Sequence, residues 1–193
     1  AVRTDTPPPR VAVAPPHPRP TPPAPPSVAV PALPPAPAAE VGEDGWPGLV
    51  RNVAACRACG LCDGRQGPVL RPAAVPAQRD WMVVGEPPNE SEEHAGEALP
   101  GEAGLLLDNM LRAVGVSRRS DGAQGAWVTN VVKCRPAIAR IPQDDELRQC
   151  RAHLDAEIAL VRPRVILAMG RFATQGLLGA DHPQFARSNV AAD

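Results

Sequence analysis

Apolar and polar residues follow two different periods along the second half of the chain. Three short apolar runs, rich in β-branched residues and bounded by glycine or polar residues, are typical of buried strands: "DWMVVG" (80–85), "AWVTNVV" (126–132) and "RVILAMG" (164–170). Three segments repeat their apolar residues at helical spacing, at 101–116, 142–161 and 171–179. The chain is therefore predicted to alternate strands and helices.

The two longer predicted helices differ in their apolar faces. In 101–116, Leu106, Met110 and Val114 share one face and Leu107 and Leu111 share another. The helix over 142–161 begins with a proline and acidic residues, a favourable helix start. Its predicted buried stripe is Leu147, Leu154, Ile158 and Val161.

This order of elements predicts an α/β fold with a parallel sheet and helical crossovers. Functional side chains of such sheets gather at the carboxyl ends of the strands, where this sequence has "GEPPNE", "TNVVKC" and "MGRFA". Three strands make a thin sheet, so we expect a fourth beyond Asp193.

Composition changes the picture at the N-terminus. Of the 26 prolines, 15 lie between Pro7 and Pro37, in a segment made mainly of Pro, Ala and Val. Such a segment cannot bury a core, so residues 1–45 are predicted to be a disordered arm and residues 46–193 the folded domain. The net charge of −1 gives no bulk attraction for nucleic acid, although a local arginine patch can suffice. No apolar run is long enough to span a bilayer.

Five cysteines carry the candidate metal chemistry. Cys56 and Cys59 form a C-x2-C pair, Cys134 follows the second predicted strand, and Cys150 lies on the inner side of the long helix. An odd number of cysteines fits a disulfide framework poorly and favours a cytosolic protein with metal ligands. Cys134 and Cys150 could instead be small buried hydrophobic residues. Zinc and an iron–sulfur cluster both remain open on spacing alone, and Cys62 is a spare thiol or an alternative ligand.

Four motifs together resemble the family 4 uracil-DNA glycosylases, the bacterial and archaeal iron–sulfur type. They are "CRACGLCDGR", "VVGEPPNESEEHAGEALPGEAGLLLDNML", "VTNVVKCRP" and "VILAMGRFATQGLLG", from about Cys56 to Gly179. The resemblance implies a three-layer α/β/α fold with four parallel strands, and hence a domain truncated at its C-terminus. It also implies a monomeric DNA-repair enzyme of the bacterial cytoplasm and nucleoid that releases uracil from uracil-containing DNA.

The resemblance also implies roles for individual residues. Cys56, Cys59, Cys134 and Cys150 would hold a [4Fe–4S] cluster. Glu86 would lie beside the base and the attacking water, and Asn130 would read uracil by accepting from N3–H and donating to O4. The implied uracil-binding residues are Gly85, Glu86, Pro87, Leu99 and Asn130. Without the resemblance, Glu86 could belong to a solvated acidic loop and Asn130 could be a turn residue.

Several departures from the family pattern predict weak catalysis. Pro87 has no backbone N–H, Asn89 replaces a glycine, and Leu99 stands where a stacking phenylalanine is expected. The family's His-Pro loop is not found; His182 with Pro183 comes too soon after Gly179. Two alternatives therefore stay open: a non-catalytic iron–sulfur DNA-binding module of the same fold, and a zinc-stabilised interaction module.

Overall fold

The structure is a computed structural model that describes residues 44–70, 78–137, 140–179 and 182. Most of the predicted N-terminal arm, residues 1–43, lies outside the described residues. The order of elements is α1 (Gly45–Ala55), a 3-10 turn (Gly60–Cys62), β1 (Arg79–Gly85), α2 (Glu90–Ala95), α3 (Gly101–Ala113), β2 (Gly122–Asn130), α4 (Asp144–Val161), β3 (Val165–Ala168) and α5 (Arg171–Leu178).

The three strands form one parallel sheet in the order β2-β1-β3, with β1 in the centre. Val83 of β1 is in register with Val128 of β2 and with Leu167 of β3. The predicted α/β class and parallel sheet are confirmed. β2 begins and ends earlier than predicted, so that Val131 and Val132 are buried just beyond the strand.

Helices cover both faces of the sheet, which gives the three predicted layers. On one face, Met82 and Val84 of β1 pack with residues of α1, α4 and α5 in the larger hydrophobic core. On the other face, Val83 packs against Leu107 and Leu111 of α3. The alternation of β1 side chains between two cores is the expected consequence of a strand buried on both sides.

Two helices were not predicted. α1 contains two glycines and a proline, yet it buries Trp46, Leu49 and Val53 at helical spacing, and it packs on α4. α2 has only six residues and begins with a capping box between Asn89 and Glu92. Both helices are therefore stabilised by particular contacts rather than by long periodic patterns.

Of the two apolar faces of α3, the structure buries only one. Leu107 and Leu111 are 2% and 4% exposed, whereas Leu106, Met110 and Val114 are 63%, 55% and 64% exposed. The exposed face makes an apolar surface on the outside of the molecule as described.

β3 is an edge strand among the described residues, because it pairs with β1 alone. Its Val165, Ile166 and Leu167 are about 40% exposed, at 42%, 38% and 42%. Val165 and Leu167 lie in register with Trp81 and Val83, on the face of the sheet that α3 covers. The fourth strand stays a prediction. None of the described helices is both long and apolar enough to cross a membrane.

The two faces of α3 give a matched test of the packing. Leu107→Ala is expected to lower the free energy of unfolding by about 2–5 kcal/mol, since it removes a buried side chain from a close-packed core. Leu106→Ala, one residue away but exposed, is expected to change it by less than about 0.5 kcal/mol. Urea unfolding of both variants checks this. A larger effect at Leu106 would contradict the placement of α3.

Candidate active site

At the carboxyl edge of the sheet, hydrogen bonds connect Asn130, Glu86 and the first-turn backbone amides of α5, the helix that follows β3. Asn130 Nδ2, at the end of β2, donates to the backbone oxygen of Glu86, which follows β1, over 2.9 Å. The carboxylate of Glu86 in turn reaches the start of α5, where Phe172 N donates to Oε1 over 2.8 Å. Residues at or shortly after the ends of all three strands therefore meet at this edge of the sheet, and their functional roles stay predictions.

The Glu86 carboxylate lies on the N-terminus of α5. Its Oε1 accepts from the amides of Phe172 and of Ala173, the latter over 3.2 Å. These are free first-turn donors of the helix, and the helix dipole favours an anion there. Gly170 makes the approach feasible: its φ is +105°, and a Cβ at that position would overlap the carboxylate. The role of Glu86 beside a base and a water stays a prediction.

Asn130 is held in a single orientation. Its side chain is buried, and Nδ2 donates to Glu86 O and to Glu92 Oε1, over 2.9 and 3.0 Å. Turning the amide around would direct its oxygen at two other oxygens, so the positions of Nδ2 and Oδ1 are fixed by their partners. Oδ1 is buried and has no hydrogen-bond partner among the described residues. A buried acceptor without a hydrogen bond costs free energy, and a donor on a bound molecule would remove that cost.

Glu92 is a site residue that the sequence analysis missed. It is 3% exposed, and its Oε1 accepts from Asn130 Nδ2 and from Leu99 N, while its Oε2 accepts from Asn89 N. The signal in the sequence was the pair Asn89-x-x-Glu92, which matches a capping box. One carboxylate thus starts α2, orients Asn130 and fixes the backbone at Leu99.

Leu99 and Pro87 occupy different surroundings. Leu99 has a φ of +49°, uncommon for a residue with a side chain, and its carbonyl accepts from Arg118 Nη1 over 3.1 Å. Its half-buried side chain packs on the α3 side of the sheet. Pro87 borders an open depression together with Glu86 and Phe172. Phe172 provides an aromatic ring at this depression, which the sequence analysis did not include.

A buried ion pair lies directly behind Asn130. Lys133 Nζ pairs with Glu157 of α4, and it also donates to Thr129 Oγ1 and to the Asn130 carbonyl, each over 2.7 Å. The side chains of Lys133 and Glu157 are 1% and 0% exposed. Trp127 Nε1 donates to the second oxygen of Glu157 over 2.9 Å. The end of β2 is therefore bound to α4 by a fully satisfied polar network.

The cysteines form a second centre next to this network. One small cavity between α1, α4 and the end of β2 is lined by all five of them: Cys56, Cys59, Cys62, Cys134 and Cys150. Cys134 and Cys150 are buried and the other three are partly exposed. Two donors point at sulfur: Arg65 Nη1 to Cys134 Sγ over 2.7 Å, and Lys133 N to Cys150 Sγ over 3.3 Å.

Burial disfavours the thiolate form of three of the cysteines by raising their pKa values. It raises the pKa of the Cys150 thiol to about 12, against the opposing effect of Lys133. Burial also raises the pKa values of Cys134 and Cys59, and the hydrogen bond from Arg65 opposes the rise at Cys134. Any metal group that binds here must therefore displace protons, as thiolate ligands require.

The described side chains do not converge on a single point. Within residues 44–70, 78–137, 140–179 and 182, no three His, Cys, Asp or Glu residues are grouped as ligands of one metal ion.

Comparison with protein families places most of the folded part in one group. The model of the uracil DNA glycosylase superfamily matches residues 72–191. This range includes all three strands and the helices α2 to α5. It begins after the C-x2-C pair and α1.

Individual relatives point to the same group. A Type-4 uracil-DNA glycosylase of Archaeoglobus fulgidus is 37% identical over 127 residues, which cover 66% of this chain and 60% of that protein. Its namesake in Sulfurisphaera tokodaii is 36% identical over 124 residues, 64% of this chain and 53% of that protein. A third Type-4 uracil-DNA glycosylase, from Thermotoga maritima, is 37% identical over 121 residues, which cover 63% of this chain and 59% of that protein. The alignments thus span about half to three-fifths of these relatives.

Replacing Glu92 tests the centre of the site. Glu92→Gln is expected to lower the free energy of unfolding by about 1–3 kcal/mol, because the new NH2 group must face an N–H donor wherever it points. Glu90→Gln, on the exposed side of the same helical turn, is the matched control and is expected to have little effect. Urea unfolding at pH 7 measures both. Equal stability of the two variants would contradict the described contacts of Glu92.

Proposed function

The chain belongs to the uracil-DNA glycosylase superfamily, and from this premise we propose that it hydrolyses the N-glycosidic bond of deoxyuridine in DNA and releases uracil. The predicted resemblance to this family is confirmed by the superfamily match and by the Type-4 relatives. The observation that carries the proposed activity is the buried Oδ1 of Asn130 at the end of β2, which has no hydrogen-bond partner in the part of the chain that the structure describes. The proposed substrate is uracil-containing DNA of the cytoplasm, bound by a monomer.

Asn130 is the proposed reader of the base. Its Oδ1 would accept from uracil N3–H, which satisfies the buried acceptor. Cytosine presents a lone pair at N3, so the same oxygen would face another acceptor and the base would be rejected. Both Nδ2 hydrogens are already directed at Glu86 and Glu92, so this geometry supports recognition through N3–H rather than through O4.

Glu86 is the residue that we propose orients the attacking water. Its Oε1 is engaged by the α5 amides, while Oε2 makes no hydrogen bond with any described residue. Glu86 also lines the open depression. A deoxyuridine rotated out of the DNA would place its sugar beside this carboxylate. Glu86 Oε2 would then orient a water toward the sugar carbon as the glycosidic bond breaks and uracil leaves as an anion.

Charge that develops on uracil requires hydrogen-bond donors, and here the chain departs from its family pattern. Pro87 cannot offer a backbone N–H, and Leu99 offers no aromatic face to the base. Loss of one such donor typically costs about a hundredfold or more in rate. The proposed enzyme is therefore slow. The alternative of a non-catalytic DNA-binding module is favoured by these same two residues and differs in releasing no uracil.

A [4Fe–4S] cluster is the proposed occupant of the cysteine cavity. Cys56, Cys59, Cys134 and Cys150 would hold it, which is supported by their position around one cavity and by the donors already aimed at two of the sulfurs. When bound, the cluster supplies iron–thiolate cross-links between the N-terminal segment and the sheet. Hydrolysis transfers no electrons, so the proposed role is structural.

Uracil release by an Asn130 variant tests the activity. The protein is expected to release uracil slowly from a single-stranded oligonucleotide, and Asn130→Ala to lower the rate by about 5- to 150-fold, since loss of one buried hydrogen bond is worth about 1–3 kcal/mol. Asn109→Ala, on the exposed face of α3, serves as the control and should leave the rate unchanged. Alkaline cleavage at the abasic site gives the readout. Oligonucleotide binding without any release would favour the DNA-binding module.

Iron content tests the cluster independently of activity. Anaerobically purified protein is expected to be brown and to hold about four irons. Cys134→Ala and Cys150→Ala should both lose the colour and the iron, whereas Cys62→Ala, at the same cavity, should keep them. Absorbance near 400 nm and iron analysis measure the outcome. Stoichiometric zinc in place of iron would contradict the proposed cluster and favour the zinc-stabilised interaction module.

A further inference from the structure

Arg65 joins two of the cysteine-bearing segments. Its Nη1 donates to Cys134 Sγ over 2.7 Å. Its Nη2 faces three carbonyls at the C-terminal end of α1, those of Val53, Ala54 and Cys56, at 3.3, 2.6 and 3.3 Å. One guanidinium thus connects the helix end that precedes Cys56 to the thiol that follows β2.

The charges around the cavity single out this residue. Among the residues that the structure describes, Arg65 is the one cation whose side chain donates to a cysteine sulfur. Lys133 reaches Cys150 only through its backbone N–H, since its ammonium group is engaged by Glu157, Thr129 and the Asn130 carbonyl. Arg57 is exposed and donates to the Cys56 carbonyl instead.

The fork shape of guanidinium suits this position. A planar group with donors on two sides can bind a sulfur with one nitrogen and backbone carbonyls with the other, which an ammonium group cannot do in the same geometry. A cationic N–H donor stabilises negative charge on a sulfur ligand. Hydrogen bonds to cluster sulfurs are a main determinant of the reduction potential of iron–sulfur centres.

We propose that Arg65 is a positioning and tuning residue of the cysteine centre: it holds the Cys56 segment against Cys134, and its N–H···S bond raises the reduction potential of the cluster bound there. The inference rests on the proposed [4Fe–4S] cluster. Reduction adds negative charge to the cluster and its thiolates, and the nearby guanidinium favours that state. Removing the cation therefore disfavours reduction.

A simpler role would be that Arg65 only caps the last carbonyls of α1, as basic side chains often do. The two roles differ in one measurable respect. A cap affects the free energy of unfolding but leaves the potential of a retained cluster unchanged. A donor to Cys134 Sγ changes the potential as well.

The test compares three variants in anaerobic protein whose iron content is measured first. Arg65→Gln removes the charge, and Arg65→Lys keeps the charge without the forked guanidinium. Arg57→Gln is the matched control, because Arg57 lies between the two cysteines of the C-x2-C pair, next to Cys56. Mediated redox titration followed by EPR gives the midpoint potential. Arg65→Gln should shift it to a more negative value, Arg65→Lys should shift it less, and Arg57→Gln should leave it unchanged.

The outcomes separate this inference from the proposal on which it rests. Wild-type protein without iron overturns both. Wild-type protein with about four irons and an Arg65→Gln variant of equal potential and iron content overturns the role of Arg65 alone. If Arg65→Gln retains no cluster, Arg65→Lys decides: a potential equal to that of the wild type overturns the inference, and a more negative one supports it.

Discussion

The buried ion pair between Lys133 and Glu157 determines where both parts of the site lie. Two charges removed from water are tolerated only when each is well paired, and loss of one partner typically costs about 3–5 kcal/mol. Here Lys133 has three acceptors, and Glu157 also accepts from Trp127. The end of β2 is consequently fixed to α4. The residue that precedes this junction, Asn130, belongs to the proposed base pocket, and Cys134, which follows it, belongs to the cysteine cavity.

The sheet and its long helices could be predicted because their patterns depend on local sequence. β1 and β3 are short apolar runs, and α4 has one apolar stripe, of which Leu147, Leu154 and Val161 are buried. Periodicity could not choose between the two apolar faces of α3, since the choice depends on which neighbours are present. α1 was missed because its glycines and proline obscured the spacing of Trp46, Leu49 and Val53, which only packing against α4 makes helical.

The candidate site was predictable where it followed strand ends and unpredictable where it depended on distant partners. The end of β2 indicated Asn130, and the resemblance gave it a role. Glu92 reaches Asn130 across 38 positions of sequence, and Arg65 reaches Cys134 across 69. No local pattern encodes such pairings, although the capping box at Asn89 did mark Glu92 as a fixed carboxylate.

Lys133 is the only lysine in the sequence, and the other 19 of the 20 lysine and arginine residues are arginines. Because this one amine is buried, the basic groups on the described surface are guanidinium groups, which can bind a phosphate through a pair of hydrogen bonds. The same feature has a chemical consequence. A reagent that acylates lysine side chains finds none exposed on the folded domain. Acylation at Lys133 would therefore report the separation of β2 from α4, giving a covalent record of opening at the centre of the molecule.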